Sequence, residues 1–212
     1  MRIGLLFAAT FAVLTGLAGS AQASGHIYLL KGFAGVFSTG LDTLAEQLKS
    51  RGYTATVESY SDAESLGVEA AKLQKSGKGP IIIIGHSLGA DATIPMAEKM
   101  KQEGAAVALI VTFGPDYQQL APSNVARFIN YYQGTAKIGK GQGFKGTISN
   151  IDLLADADIN HFNIEKIARL HAKVIGQIHM IFGRNATERA EQHVALPHDA
   201  LPKRQVNAGQ DR

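Results

Sequence analysis

A serine between two glycines is the residue of this sequence best placed to do chemistry. Ser87 lies in Gly85-His86-Ser87-Leu88-Gly89, a G-x-S-x-G pattern whose hydroxyl becomes a nucleophile when a base removes its proton. The pattern is short, so its weight depends on its flanks. The apolar run Ile81 to Ile84 precedes it, and a segment with helical periodicity, about Leu88 to Glu103, follows it. This strand, sharp turn and helix predict a nucleophile elbow.

The residues around Ser87 also predict how negative charge on a reacting oxygen would be stabilised. Gly85 and Gly89 leave room for a strained turn, which places the Leu88 backbone N–H at a helix N-terminus, where it can donate to an oxyanion. A second donor is expected in the glycine-rich loop after the first strand, and we predict the Phe33 N–H. The alternative for that loop, Gly32-Phe33-Ala34-Gly35, is a simple connection between strand and helix.

The base that the serine needs is predicted to be His161. In a nucleophile-elbow fold the chain order is serine, acid, histidine, and His161 lies between the predicted strand Thr147 to Leu154 and the last predicted helix. The other histidines lie in a strand, in the elbow itself, in the last helix or in the tail: His26, His86, His171, His179, His193 and His198. Since no pair has convincing metal-ligand spacing, we expect no metal and no cofactor.

The acid that would orient His161 is left open by the sequence. Asp116, just after the predicted strand Val107 to Phe113, lies at a strand's carboxyl end and is our first choice. The more usual place, after the following strand, holds no carboxylate. Asp156 and Asp158 are the alternatives, although closeness along the chain does not provide the required angle, and a water or an amide could also replace the acid.

Strands and helices alternate along the rest of the chain. The predicted strands are His26 to Leu30, Tyr53 to Tyr60, Ile81 to Ile84, Val107 to Phe113, Val125 to Tyr132 and Thr147 to Leu154, and the helices Leu41 to Leu48, Asp62 to Lys75, Leu88 to Glu103 and Ile164 to Ile181. This alternation predicts an α/β fold with a doubly wound, mainly parallel sheet in a single domain, residues 24–183. We expect Gly134 to Gly146 to be an exposed, mobile loop, and residues 184–212 to be a polar, loose tail.

The first residues predict export. Arg2 is followed by an apolar run to Gly19 and then by Ala21-Gln22-Ala23, the pattern of a signal peptide, residues 1–23, cleaved after Ala23. A transmembrane helix is the alternative. Beyond this leader the sequence predicts no membrane span, and the small net charge of +3 does not imply nucleic acid as a partner. We therefore expect a periplasmic or secreted protein.

The sequence from about His26 to Ile181 resembles the small, lidless α/β-hydrolases, the thioesterase and lipase-like members with a Gly-His-Ser-Leu-Gly elbow. The resemblance implies hydrolysis of a small-molecule carboxylic ester or thioester through an acyl-serine. The missing carboxylate after Val125 to Tyr132 departs from the family pattern and leaves the acid open. Two other functions remain, a ligand-binding protein on a hydrolase scaffold and an acyltransferase that uses the same serine.

Overall fold

The apolar run that precedes the serine lies in the middle of a six-stranded sheet. In the computed structural model, which describes residues 25–33 and 38–194, these isoleucines belong to strand β3, Ile81–His86, and every residue of that strand is buried. Side chains that are apolar on both faces of a strand fit a sheet covered on both sides. The six strands are β1 (His26–Lys31), β2 (Ala55–Ser59), β3, β4 (Leu109–Phe113), β6 (Arg127–Tyr132) and β8 (Thr147–Asp152).

All neighbouring strands of this sheet are parallel, in the order β2-β1-β3-β4-β6-β8. The chain therefore builds outward from β1 to β2 and then crosses back to β3 to build in the opposite direction. The strand order reverses between β1 and β3, and ligand sites in open α/β sheets lie at the carboxyl ends of the strands at such a point. The predicted doubly wound, parallel α/β fold is confirmed.

Within the described ranges, four α-helices cover the two faces of the sheet. They are α1 (Thr39–Lys49), α2 (Ala63–Lys75), α3 (Leu88–Gln102) and α4 (Ala168–Val194). One core is formed by α1 and α4 against one face of the sheet, and the other by α2 and α3 against the opposite face. Alternate residues of β3 enter the two cores, since Ile82 and Ile84 belong to the first and Ile81 and Ile83 to the second.

The prediction of an exposed loop from Gly134 to Gly146 is wrong. This segment contains a short strand, β7 (Ile138–Lys140), which pairs in parallel with β5 (Gln119–Ala121). Ile138 and Phe144 are buried in the core beneath α3. The glycines and lysines dominate the composition, but two apolar side chains are enough to anchor the segment, because each gains about 1.5–3 kcal/mol by burial.

The end of the chain is helical for longer than its polar composition suggested. Helix α4 continues past Gly183 to Val194, while Ile164–Lys166, predicted as the start of this helix, forms a separate 3₁₀ turn. The predicted signal peptide, residues 1–23, and the last part of the predicted tail, residues 195–212, lie outside the described residues. None of the helices in the described part of the chain is long and apolar enough to span a bilayer.

Candidate active site

Ser87 lies on a strained turn between β3 and α3. It is the single residue between the end of the strand at His86 and the start of the helix at Leu88, and its φ of 55° with a ψ of −129° lies where L-residues are rarely found. Among the described residues other than glycine, Ser87 alone has a positive φ. Such strain persists only where the surroundings fix it, and it is concentrated at functional sites.

The two glycines of the motif make this turn possible. A Cβ on Gly85 would lie 2.1 Å from the Gly89 carbonyl oxygen, and a Cβ on Gly89 would lie 2.0 Å from the Leu30 carbonyl oxygen of β1. Both distances are far inside van der Waals contact and involve backbone atoms, which cannot move aside cheaply. The glycines therefore allow α3 to pack directly against the strands, as the sequence predicted.

His161 lies in a segment that we term the histidine loop, residues 158–163, after strand β8. Its polar side chains close the loop on itself: Asn160 accepts from the Phe162 N–H at 2.9 Å, and Asn163 accepts from the Asn160 N–H at 2.8 Å. Asparagine favours such turns because its short amide bonds to nearby backbone. The loop thereby holds a histidine with no regular secondary structure around it.

The structure brings the predicted base to the predicted nucleophile. His161 Nε2 lies 3.1 Å from Ser87 Oγ, although the two residues are 74 positions apart. Since Nε2 must be unprotonated to accept the serine proton, the productive imidazole carries its hydrogen on Nδ1. The pair thus has the hydrogen bond that general-base activation of a serine requires.

The predicted acid is at the correct end of the sheet but is not hydrogen bonded to His161. Asp116 is exposed and follows β4, where its backbone N–H donates to Asp91 Oδ2 at 3.2 Å. A Cβ on Gly114, two residues earlier, would lie 3.2 Å from His161 Nδ1, so this nitrogen faces the turn that carries Asp116. Within the described chain, however, Nδ1 has no hydrogen-bond partner.

The alternative acids have other roles. The Asp156 carboxylate pairs with Arg169, and Asp158 contributes only its backbone carbonyl, which accepts from Asn163 Nδ2 at 2.9 Å. Gln133 occupies the more usual position of the acid, after β6, and its Nε2 donates to Leu153 and Ile159 carbonyl oxygens at 3.2 and 2.8 Å. An amide here ties together the backbone that leads into the histidine loop.

Leu88, one predicted oxyanion donor, and Gly32, next to the other, both lie beside the serine. Leu88 is the first residue of α3, so its N–H belongs to the group of donors that a helix N-terminus leaves unpaired. Gly32, the residue before Phe33, packs against the elbow, since a Cβ on it would lie 3.3 Å from the Leu88 nitrogen and 3.1 Å from Ser87 Cβ. The Phe33 side chain is 69% exposed.

A buried histidine that the sequence had set aside connects three parts of this site. His86 Nδ1 lies 2.9 Å from Ser38 Oγ, and its Nε2 lies 2.9 Å from the backbone oxygen of His161. Ser38 Oγ in turn accepts from the Gly32 N–H at 3.3 Å. Burial is the main cause that lowers the pKa of His86, while the charge of Asp116 raises it. One signal was available: a histidine that ends a fully buried strand needs hydrogen-bond partners.

A second feature missed by the sequence is a buried carboxylate next to the histidine loop. Glu165 is fully buried, and neither of its carboxylate oxygens has a hydrogen-bond partner among the described residues. It lies against Gly40 in the first turn of α1, where a Cβ would be 1.9 Å from Oε2. Burial raises the pKa of Glu165 to about 7, although the nearby Lys166 charge and the Gly40 amide lower it.

Four exposed apolar side chains lie at the same end of the sheet as the serine. We term this set the apolar rim: Phe33 after β1, Tyr117 after β4, Leu154 after β8 and Phe162 beside His161, each between 62 and 69% exposed. All four lie in connections at the carboxyl ends of the parallel strands, and the ring of Phe162 meets the His161 ring edge-on with centroids 5.6 Å apart. Clustered exposed apolar groups mark binding surfaces more often than scattered ones do.

The described residues contain no cluster of three metal-ligating side chains. No protein-family model matches the chain, and no curated protein is significantly similar to it in sequence. The chain is similar to a solved structure of a presumed hydrolase of the α/β superfamily from Xanthomonas campestris pv. campestris, with a TM-score of 0.44 and 17% identity, over 72% of this chain and 99% of that chain. So distant a likeness carries no argument about function, which must come from the site itself.

Proposed function

We propose that this chain is a serine hydrolase that cleaves a carboxylic ester or thioester through an acyl-serine. The observation that supports the proposal best is the 3.1 Å contact between Ser87 Oγ and His161 Nε2, at a turn where Ser87 has a strained, positive φ. A strained nucleophile next to a base, with backbone N–H groups on either side, is the arrangement needed for acyl transfer.

The reaction begins with proton transfer from Ser87 Oγ to His161 Nε2. As the proton leaves, Oγ attacks the carbonyl carbon, and the Leu88 and Phe33 N–H groups donate to the oxyanion of the tetrahedral intermediate. The intermediate collapses when the imidazolium gives its proton to the leaving alcohol or thiol, and the acyl group stays on Ser87. Water, deprotonated by His161, then attacks the acyl-serine and releases the acid.

Asp116 is the proposed acid of this mechanism, because His161 Nδ1 faces the turn on which it lies. A carboxylate on Nδ1–H would hold the productive tautomer and stabilise the imidazolium. Asp116→Asn should then lower the rate of Ser87 acylation by at least about 100-fold. A loss of less than about threefold would remove Asp116 from the mechanism.

The apolar rim points to a substrate with an apolar acyl group. Phe33 lies in the connection after β1, and Phe162 lies next to His161, before the 3₁₀ turn. An acyl chain that covers such side chains removes apolar surface from water, at about 25 cal/mol per Å². We propose ester substrates whose acyl part is aliphatic or aromatic rather than charged.

The test is labelling of purified protein lacking the predicted leader with a fluorophosphonate probe, with the adduct located by peptide mass. We expect modification at Ser87, and loss of more than about 10³-fold in labelling rate in Ser87→Ala and His161→Ala. Ser76→Ala and His179→Ala serve as matched controls, since Ser76 follows α2 and precedes the amino end of β3, and His179 lies on α4. Well-folded wild-type protein that is not labelled at Ser87 would contradict the proposal.

A ligand-binding protein on the same scaffold is the second candidate function. The observation that favours it is His161 Nδ1, which lacks a carboxylate partner among the described residues. In that case binding of apolar esters would persist in Ser87→Ala, and the wild type would release no product. An acyltransferase is separated from a hydrolase by adding alcohols to the assay and analysing which acyl product forms.

We also propose export through the leader of residues 1–23, because Arg2, the apolar run and Ala21-Gln22-Ala23 follow the pattern that signal peptidases recognise. In protein isolated from the native host, the mass of the N-terminal peptide should correspond to a chain that begins at Ser24. A protein that retains Met1 or Arg2 would contradict cleavage.

A further inference from the structure

We propose that His86 and Ser38 are positioning residues that set the location of His161 through its backbone, an inference that rests on the proposed serine-hydrolase function. His86 precedes the nucleophile and is 1% exposed, and its ring reaches the histidine loop, where its Nε2 lies 2.9 Å from the His161 carbonyl oxygen. The two imidazole centroids are 5.3 Å apart.

The direction of each hydrogen bond follows from the groups involved. A backbone carbonyl can only accept, so His86 Nε2 carries the hydrogen and donates to His161 O. Nδ1 of the neutral ring must then accept, and Ser38 Oγ donates to it. The Ser38 oxygen is left to accept from the Gly32 N–H. The donor and the acceptor of each of these three hydrogen bonds are therefore defined, and the His86 ring carries its hydrogen on Nε2.

We term the three hydrogen bonds that link Gly32, Ser38, His86 and His161 the relay. It joins the three segments that carry the proposed reacting groups. Gly32 precedes the proposed oxyanion donor Phe33, His86 precedes the nucleophile, and the acceptor belongs to the proposed base. Gly32, Ser38 and His86 are buried, with Ser38 2% exposed, and the bond from His86 to the His161 carbonyl is partly buried. Hydrogen bonds that are shielded from water are costly to leave unmade. A single buried network thus fixes the distance between the elbow and the histidine loop.

The relay constrains His161 through its backbone, independently of any partner of its Nδ1. In a triad the acid orients the ring through Nδ1. Here Nδ1 has no described partner, while the backbone of the same residue is held by His86. Misplacement of a reacting group by about 1 Å costs about 100-fold in rate, so we expect loss of this one bond to lower the acylation rate about 10- to 100-fold.

Two substitutions of His86 separate its two bonds. The side-chain nitrogen of glutamine can occupy the place of Nε2, whereas the asparagine amide reaches only as far as Nδ1. His86→Gln should therefore keep the donor to His161 O and retain a rate within about fivefold of wild type. His86→Asn should lose it and show the full 10- to 100-fold loss. Ser38→Ala, which leaves Nδ1 unpaired, provides a second variant should His86→Asn fail to fold.

His171 offers a matched control. It is a buried histidine whose Nε2 likewise donates to a backbone carbonyl, that of Glu165, at 2.6 Å. His171→Asn removes the same kind of bond from the same side of the sheet without touching His161. We expect it to lower stability, while the labelling rate constant of the folded protein stays within about twofold of wild type.

The experiment measures the rate constant of fluorophosphonate labelling at Ser87, and kcat and KM for a chromogenic butyrate ester. Circular dichroism determines the folded fraction of each variant. The proposal predicts a loss in kcat with little change in KM in His86→Asn or Ser38→Ala, and rescue in His86→Gln. Equal rates in wild type and folded His86→Asn would overturn the proposal. A loss of rate in His86→Gln and His171→Asn that equals the loss in His86→Asn would also overturn it. Absence of labelling in the wild type would instead overturn the proposed function itself.

Discussion

Glu165 makes a contribution to the free energy of unfolding that should decrease as pH rises. Its carboxyl group is fully buried against the first turn of α1, and the Lys166 ammonium, 3.7 Å from Oε1, is too distant for a hydrogen bond. Burial raises its pKa from 4.5 to about 7 in the folded protein. The folded state therefore binds the proton more tightly than the unfolded state does.

The sign and size of the effect follow from this difference. Between pH 4.5 and 7 the unfolded chain loses the Glu165 proton while the folded chain keeps it, so the free energy of unfolding decreases as pH rises through this window. A raised pKa of this size corresponds to about 3 kcal/mol. The full contribution is present below pH 4.5 and is gone above pH 7.

Urea unfolding of wild type and Glu165→Gln, followed by circular dichroism, measures this contribution. The glutamine cannot ionise, so the difference in unfolding free energy between the two proteins should change by about 3 kcal/mol between pH 4.5 and 8, in favour of the variant at high pH. Glu46→Gln on the exposed face of α1 is the control, with a change below about 0.5 kcal/mol at each pH. A Glu165→Gln difference that stays constant across this range would refute the reasoning.

Three further predictions concern stability and use the same unfolding assay. Gly89→Ala should lower the free energy of unfolding by about 3 kcal/mol or more, because its Cβ would overlap a β1 carbonyl oxygen. Gly176→Ala, with open space around it on α4, should raise this free energy by about 1 kcal/mol. Equal effects of the two substitutions would contradict the close packing of α3 against β1. Ser87→Gly should be more stable than Ser87→Ala by about 1–3 kcal/mol, since only glycine relieves the positive φ, and equal stability would mean an unstrained turn. Asn150→Ala should cost about 1–3 kcal/mol, because its amide pairs with both the N–H and the carbonyl of Ile138 at 2.9 Å; a loss below about 0.3 kcal/mol would show these bonds to be replaceable by water.

The strands, their parallel arrangement and the elbow could be predicted from the sequence. Ile81 to Ile84 contains no polar residue and is followed at once by Gly85, so strand and turn are both specified by neighbouring residues. The error at Gly134 to Gly146 has the opposite cause. Composition there indicated a loop, but the burial of Ile138 and Phe144 depends on α3 and β5, which are distant in the chain.

Placement of His161 after the last strand of the sheet was predicted from chain order, and its contact with Ser87 agrees with that placement. The partner of its Nδ1 could not be predicted in this way. Which carboxylate, amide or carbonyl reaches an imidazole depends on angles between loops, and three aspartates at suitable chain positions differ in what they contact: Asp116, Asp156 and Asp158.

The sequence by itself determined the local features of this protein: apolar periodicity set the strands and helices, and two glycines set the turn that strains Ser87. Only the tertiary structure decided which buried polar groups meet. His86 and the His161 carbonyl are 75 residues apart, and Glu165 reaches α1 only because the 3₁₀ turn packs there. Local patterns reflect steric preferences of neighbouring residues, whereas a buried hydrogen bond or a buried carboxylate arises from the packing of whole elements.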